Sequence, residues 1–278
     1  MKQLLLPLSL ILLFFGCQEE DSPIEPEGPC HISLVSFPNY FIPHSYGYYF
    51  NEKEQLERIT VNSVDSLSKP QSYDVLLSYD KDGRLVREES KDVAWENMYN
   101  DKGQLTQQNK SVNTPPGRQT YVYLHSFNYL GRLFLTSIHT ADMSYALSIA
   151  TYDYSPEGLV YQIIKTTYAE EGELPDPSKK YVYSVYVTFD GKKNPFPSLP
   201  IMSLGGHPGY VDQLPPMLSS GNITRYKLTR RFQFGAGFSD YSIRYTYDEE
   251  GYPLESNIVL PDGYILSDTK RIFTYSCK

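Results

Sequence analysis

A phrase of the form aromatic, Asp or Asn, two further residues, Gly, any residue, Leu returns along this chain and constrains its fold more than any other feature. It is complete at Tyr79-Asp80-Lys81-Asp82-Gly83-Arg84-Leu85 and at Tyr99-Asn100-Asp101-Lys102-Gly103-Gln104-Leu105. Phe127-Asn128-Tyr129-Leu130-Gly131-Arg132-Leu133 keeps the spacing, and the stretches 154–158 and 247–251 keep the interval from Tyr to Gly. Phe50-Asn51 with Leu56 is an earlier copy that carries Glu54 in the glycine position. The spacing has a mechanical reason. An Asp or Asn that opens a turn can bond the backbone two residues on, and Gly supplies the positive φ that ends it. Each phrase therefore reads as the tip of a β-hairpin.

The flanks agree. Tyr121, Tyr123, His125 and Phe127 alternate with Val122, Leu124, Ser126 and Asn128, and Tyr241, Ile243, Tyr245 and Tyr247 alternate with Ser242, Arg244, Thr246 and Asp248. Period two marks strands, and the stretches 181–189, 225–234 and 271–277 read the same way. No long stretch shows a 3.6-residue apolar period. The 26 tyrosines, against 13 phenylalanines and one tryptophan, fit half-buried pleated faces with a hydroxyl at the wet end. The expectation is an all-β fold: one domain at 30–278, an antiparallel up-and-down meander of about ten to fourteen strands that forms an open or closed barrel and so hides its edges. Residues 194–217 break the rhythm with six prolines and many apolar side chains. Such a loop reads first as a plug or short-helix cap over one barrel end, and second as a ligand-binding lid that would bring Phe196 and Tyr210 to a ligand.

The chain opens with a positive Lys2 and an apolar run at 4–15, the form of a secretory signal and too short to span a bilayer. Gly16-Cys17 resembles the lipobox of bacterial lipoproteins, which implies a signal peptide at 1–16 and lipidation at Cys17. Residues 17–29, acidic and rich in proline, read as a disordered tether. An acidic cluster directly after the cysteine is similar to the surface-export signal of Bacteroidetes lipoproteins. It implies an outer-membrane lipoprotein at the cell surface, with the periplasmic face as the alternative. Two acyl chains at one cysteine anchor stably. If Cys17 is lipidated, Cys30 and Cys277 remain, and in an oxidising compartment a disulfide is their default pairing. Two free thiols, or a metal or redox pair without supporting neighbours, are the alternatives. A Cys30–Cys277 bond would lay the first and last strands side by side.

Little in the sequence points to catalysis. A net charge of −8 argues against nucleic acid as a partner. His31, His44, His125, His139 and His207 form no metal-binding pair, and His125 reads as a hydrogen-bonded packing residue. Asp80, Asp82 and Asp101 sit in turns that gather too few oxygens for calcium. No nucleophile elbow, phosphate loop or dinucleotide fingerprint occurs. The expectations are no catalytic residues, no metal, no cofactor and no enzymatic activity. The better lead is a row of exposed tyrosines on a curved sheet, Tyr121 and Tyr123, or Tyr241, Tyr245 and Tyr247, able to stack flat ligands or sugar rings. Tyrosines at period two also serve as ordinary cross-strand packing.

Several phrases in order carry a wider resemblance. These are the signal, the Tyr-Asp repeats, Asp190-Gly191-Lys192-Lys193-Asn194-Pro195-Phe196, Gly221-Asn222-Ile223-Thr224 and Tyr245-Thr246-Tyr247-Asp248-Glu249-Glu250-Gly251-Tyr252-Pro253. Together they resemble an uncharacterised family of Bacteroidetes lipoproteins, a domain of unknown function with a porin-like fold, distantly similar to YD-repeat proteins. The resemblance spans about 30–277, with Gly221 expected to occupy a left-handed turn position. It implies an antiparallel barrel-like sheet and carries no catalytic residues. The function expected is a lipid-anchored surface binding protein for glycans or other nutrient ligands, beside an outer-membrane uptake partner. The rivals are a carrier of acyl chains or other apolar molecules, and a structural or adhesive shell.

Overall fold

In a computed structural model, residues 30–40, 44–64, 68–114, 117–168, 181–196, 221–232 and 235–277 are described. The signal, the tether with Cys17, Tyr210 and most of the 194–217 loop lie outside them. The described residues form sixteen strands: β1 (His31–Phe37), β2 (His44–Phe50), β3 (Leu56–Val64), β4 (Pro70–Tyr79), β5 (Leu85–Glu89), β6 (Val93–Tyr99), β7 (Leu105–Thr114), β8 (Gly117–Phe127), β9 (Leu133–Thr140), β10 (Ala146–Tyr154), β11 (Val160–Thr167), β12 (Tyr181–Phe189), β13 (Ile223–Phe232), β14 (Gly235–Tyr247), β15 (Pro253–Val259) and β16 (Ile265–Ser276). Every strand pairs antiparallel with its neighbours in sequence, and β16 returns to β1, so the sheet is a closed up-and-down barrel. The strand number exceeds the about ten to fourteen expected. Short strands such as β5 (LVREE) carry too few residues for alternation to show, and connections as short as 90–92 leave little sequence between strands.

The repeat builds the ring two strands at a time. Each Tyr-Asp phrase joins an even-numbered strand to the next odd one, so in an up-and-down meander all of them fall on one rim. In the second copy the Asp80 N–H donates to the Arg84 carbonyl and the Gly83 N–H to the Asp80 carbonyl. Asp80 Oδ1 accepts the backbone N–H groups of Asp82 and Arg84, both at 2.9 Å. Asn51, Asn100, Asn128 and Asp248 make the same pair of bonds. Gly83 ends the turn at φ 78°, and Glu54, in the glycine position of the first copy, is held at φ 60°, a conformation that disfavours a side chain. A β-bulge follows each turn, as between Ser78 and Tyr79.

The long connection between β12 and β13 is an insertion into one of these turns. Asp190 N–H donates to the Asn222 carbonyl at 3.0 Å, and Asp190 Oδ1 accepts the N–H groups of Lys192 and Asn222. Asn222 thus stands where Arg84 closes its own turn, with residues 193–221 interposed. Gly221 is not left-handed, contrary to expectation. A Cβ there would lie 2.3 Å from the Asp190 carbonyl oxygen, so close backbone approach is what requires glycine.

The two faces differ sharply. Inward side chains form apolar clusters, one including Ile32, Val35, Tyr48, Ile59 and Leu85, another including Leu133, Tyr152, Ile163, Val187 and Ile243. The outward face carries mid-strand ion pairs: Arg58 with Asp74, Arg87 with Glu89 and Glu96, Arg225 with Asp240 and Lys270 with Glu255. A membrane-spanning barrel instead turns an apolar band about 25 Å tall outward. The outward face of the described strands mixes these charges with exposed apolar side chains such as Leu76 and Met98.

Candidate functional site

At the Tyr-Asp rim, tyrosine side chains tie neighbouring hairpins together. The bulge interrupts the ladder at each repeat Leu, and a tyrosine from the next hairpin bonds the backbone carbonyl there. Tyr79 Oη donates to Leu56 O at 2.6 Å, Tyr99 to Leu85 O at 2.7 Å, Tyr154 to Leu133 O at 2.6 Å and Tyr275 to Pro253 O at 2.8 Å. Burial, the largest cause in each case, pushes the Tyr99 and Tyr154 hydroxyls up to about 12, so they stay protonated donors. At the inserted turn the arrangement shifts: Tyr245 takes the Ile223 carbonyl, and Tyr247 donates a short bond to Asp190 Oδ2.

The start of the insertion straps this end. Lys193 N–H bonds the Gly251 carbonyl, the Asn222 side-chain amide bonds the Lys193 carbonyl, and the Asn194 side chain turns the backbone at Phe196. Phe196, only 5% exposed, enters the interior edge-on to Tyr48 at 6.1 Å and Phe273 at 6.5 Å. Its ring belongs to the barrel core. Residues 194–196 thus pack at this end of the barrel, and the rest of the loop lies outside the described residues.

One sector of the inner wall is polar. Tyr152 Oη donates to Thr136 Oγ1, His125 Nδ1 lies 2.9 Å from Thr136 Oγ1, and His125 Nε2 lies 3.1 Å from Gln108 Oε1. Gln108 Nε2 donates to Asn97 Oδ1 at 2.8 Å, and Asn97 Nδ2 to Leu85 O at 2.9 Å. Because the Gln108 amide donates onward, its oxygen is the acceptor, so His125 carries its proton on Nε2 and accepts from Thr136 on Nδ1. The chain runs in one direction across six strands. Burial lowers the His125 pKa from its ordinary 6.5 to about 4, which keeps the imidazole neutral. Glu88 and Arg271 are also buried on the inner face, Glu88 opposite Trp95 and Arg271 opposite Ser256. No three His, Cys, Asp or Glu side chains come together as a metal site among the described residues.

The tyrosines named from sequence as an exposed row lie inside. Tyr121 and Tyr123 are buried beside Trp95 and Leu147, with Tyr121 Oη donating to Gln119. Tyr241 stacks on Tyr226 at 5.0 Å, and Tyr245 stacks on Tyr247. All face the barrel interior; Tyr210 lies outside the described residues. Cys30 and Cys277 are joined in a disulfide, their Cα atoms 4.1 Å apart, at the Tyr-Asp rim.

At the far rim another group of inner-face aromatics is only partly covered. Tyr40, His44 and Tyr46 are half-buried there, and Tyr73, on the inner face opposite Val61, is 46% exposed. Sequence reading missed this group. Its signal was the alternation of His44, Tyr46 and Tyr48 with Ser45, Gly47 and Tyr49.

The fold is similar to that of two solved structures. A porin-like protein from Bacteroides uniformis ATCC 8492 is 16% identical, with a TM-score of 0.55 over 91% of this chain and 98% of the other. A porin-like protein from Bacteroides vulgatus ATCC 8482 is 8% identical, with a TM-score of 0.54 over 88% of this chain and 99% of the other. No protein-family model matches the chain, and no curated protein matches it in sequence. The porin-like architecture implied by the resemblance is found, and the likeness is one of fold.

Proposed function

We propose that this chain is a lipid-anchored binding protein of the outer membrane, displayed at the cell surface, that presents glycan or other nutrient ligands to an uptake partner and is not an enzyme. The observation that carries this reading is the group of inner-face aromatics at the rim opposite Cys30, where Tyr73 is 46% exposed, whereas at the rim bearing Cys30 tyrosine hydroxyls tie the hairpins together and Phe196 packs inside. A lipid anchor at Cys17 would join the folded domain at the rim bearing Cys30, which leaves the rim of Tyr46 and Tyr73 facing away from the membrane. The polar exterior, with its mid-strand ion pairs, suits a domain that stands beside a membrane. The test is a glycan array probed with the soluble domain beginning at Cys30, which contains the whole closed ring. Saturable binding to a defined glycan class is expected; absence of binding across broad classes overturns the reading.

A further inference from the structure

At the far rim, the β1–β4 corner concentrates aromatic rings. Phe37 stacks on His44 with ring centroids 4.3 Å apart. Tyr40 and Tyr46 each meet the His44 ring edge-on, at 5.2 and 5.6 Å. Tyr46 lies opposite Val61 and Val61 opposite Tyr73, so the three share the inner face across three adjacent strands. Strand spacing sets the two tyrosine backbones about 10 Å apart with a small side chain between them. Tyr73 is the exposed ring of this group; Tyr40, His44 and Tyr46 are half-buried, as are many described inner-face residues nearer the Tyr-Asp rim.

We propose that this corner is a binding site for a neutral carbohydrate ring, with Tyr73 and Tyr46 offering ring faces and hydroxyls to the sugar. The proposal rests on the surface-binding reading above and gives it a site and a ligand class. The chemistry matches on both counts. A pyranose has C–H faces that pack on aromatic rings and hydroxyl edges that need hydrogen-bond partners, and tyrosine supplies a π face and a hydroxyl in one side chain. An acyl chain laid over the same corner would strip water from these hydroxyls and return no hydrogen bond. The cation that touches the cluster, Arg271, lies buried beneath Phe37 at 5.6 Å, so it is not displayed to an ionic ligand. Burial, then Tyr73 and Tyr40, raise the Tyr46 pKa, which keeps the hydroxyl a neutral donor.

The test uses the full chain in detergent micelles against a panel of neutral oligosaccharides, with affinity measured for whichever member the wild-type protein binds. Tyr73→Ala is expected to weaken that affinity about tenfold or more, Tyr73→Phe to keep most of it, and Tyr161→Ala, an exposed tyrosine of β11 outside the cluster, to leave it unchanged. Because Tyr73 is exposed, Tyr73→Ala should keep the wild-type circular dichroism and unfolding midpoint, which separates lost contact from lost fold. Wild-type binding that survives Tyr73→Ala overturns the site while leaving the surface-binding reading intact. No binding by the wild type to any oligosaccharide overturns that reading, and the site with it. Retention of a fatty acid, with no oligosaccharide bound, overturns the ligand class in favour of an apolar carrier.

Discussion

His125 shows how one residue can make an entire wall of the barrel sensitive to acid. Its two ring nitrogens are both engaged, Nδ1 with Thr136 and Nε2 with Gln108, and the direction of the chain requires the neutral form. The pKa falls from 6.5 to about 4 on folding because burial disfavours the cation. The unfolded chain therefore binds the extra proton between those values. The stability contributed by the neutral imidazole is complete above about pH 6.5 and is lost as pH falls towards and through 4. The loss amounts to roughly 3 kcal/mol. We expect the stability difference between wild type and His125→Gln, measured by urea unfolding, to narrow by about that amount from pH 7 to pH 4. A difference that stays flat over this window would refute the assignment. The sequence already marked His125 as a packing residue on an aromatic-bearing face. It could not show that Gln108 and Asn97, two polar residues in β7 and β6, would meet it, because such contacts depend on the register of neighbouring strands. The same limit explains Tyr121 and Tyr123. Period two tells which residues share a face, but only closure of the sheet decides which face is inside.

At the scale of the element, the hairpin tip was the most legible part of the chain. Its bonds are local, so the spacing from Asp or Asn to Gly was enough to predict both the side-chain acceptor and the left-handed glycine found at Gly83. The girdle of hydroxyl bonds was not legible, although its residues were. Tyr99 reaches Leu85, the last residue of the preceding phrase, where the β4–β5 register shifts at a bulge and the β5–β6 pairing does not extend. Phe127 occupies the equivalent place in its own phrase without a hydroxyl, so the girdle tolerates gaps. Removing one bond should therefore be costly but not disruptive. Tyr99→Phe is expected to destabilise the protein by about 1 kcal/mol, since Leu85 O keeps its bond from Asn97. Chemical denaturation gives the value, and an unchanged midpoint would deny the hydroxyl a structural role. The inserted turn at Asp190 follows the same logic. Its opening phrase resembles the other copies, yet nothing local tells that Asn222 completes it, so a single turn appeared in sequence as a break in the rhythm.

For the molecule as a whole, closure of the ring is the step that sequence neighbours cannot supply. Every other strand pairing joins consecutive elements, the longest connection being that between β12 and β13, whereas β1 and β16 meet across nearly the full length of the domain. The entropy of bringing the ends together is therefore concentrated in one seam, and the Cys30–Cys277 bond spans that seam with a sequence separation of 247. In the chain-entropy account a crosslink over a loop of this length stabilises by about 5 kcal/mol. An opened seam also leaves two unpaired strand edges, which are templates for association with other chains. The double variant Cys30→Ser/Cys277→Ser should thus lose several kcal/mol in urea unfolding, and reducing agent should lower the midpoint of the wild type but not of the variant. Amide hydrogen exchange localises the effect. If the seam is the weak point, protection falls first in β1 and β16 and is retained in the hairpins of β7 to β12, whose pairings do not depend on closure. Equal loss of protection around the whole ring would show instead that the barrel opens as one cooperative unit, with the disulfide acting on the unfolded chain alone.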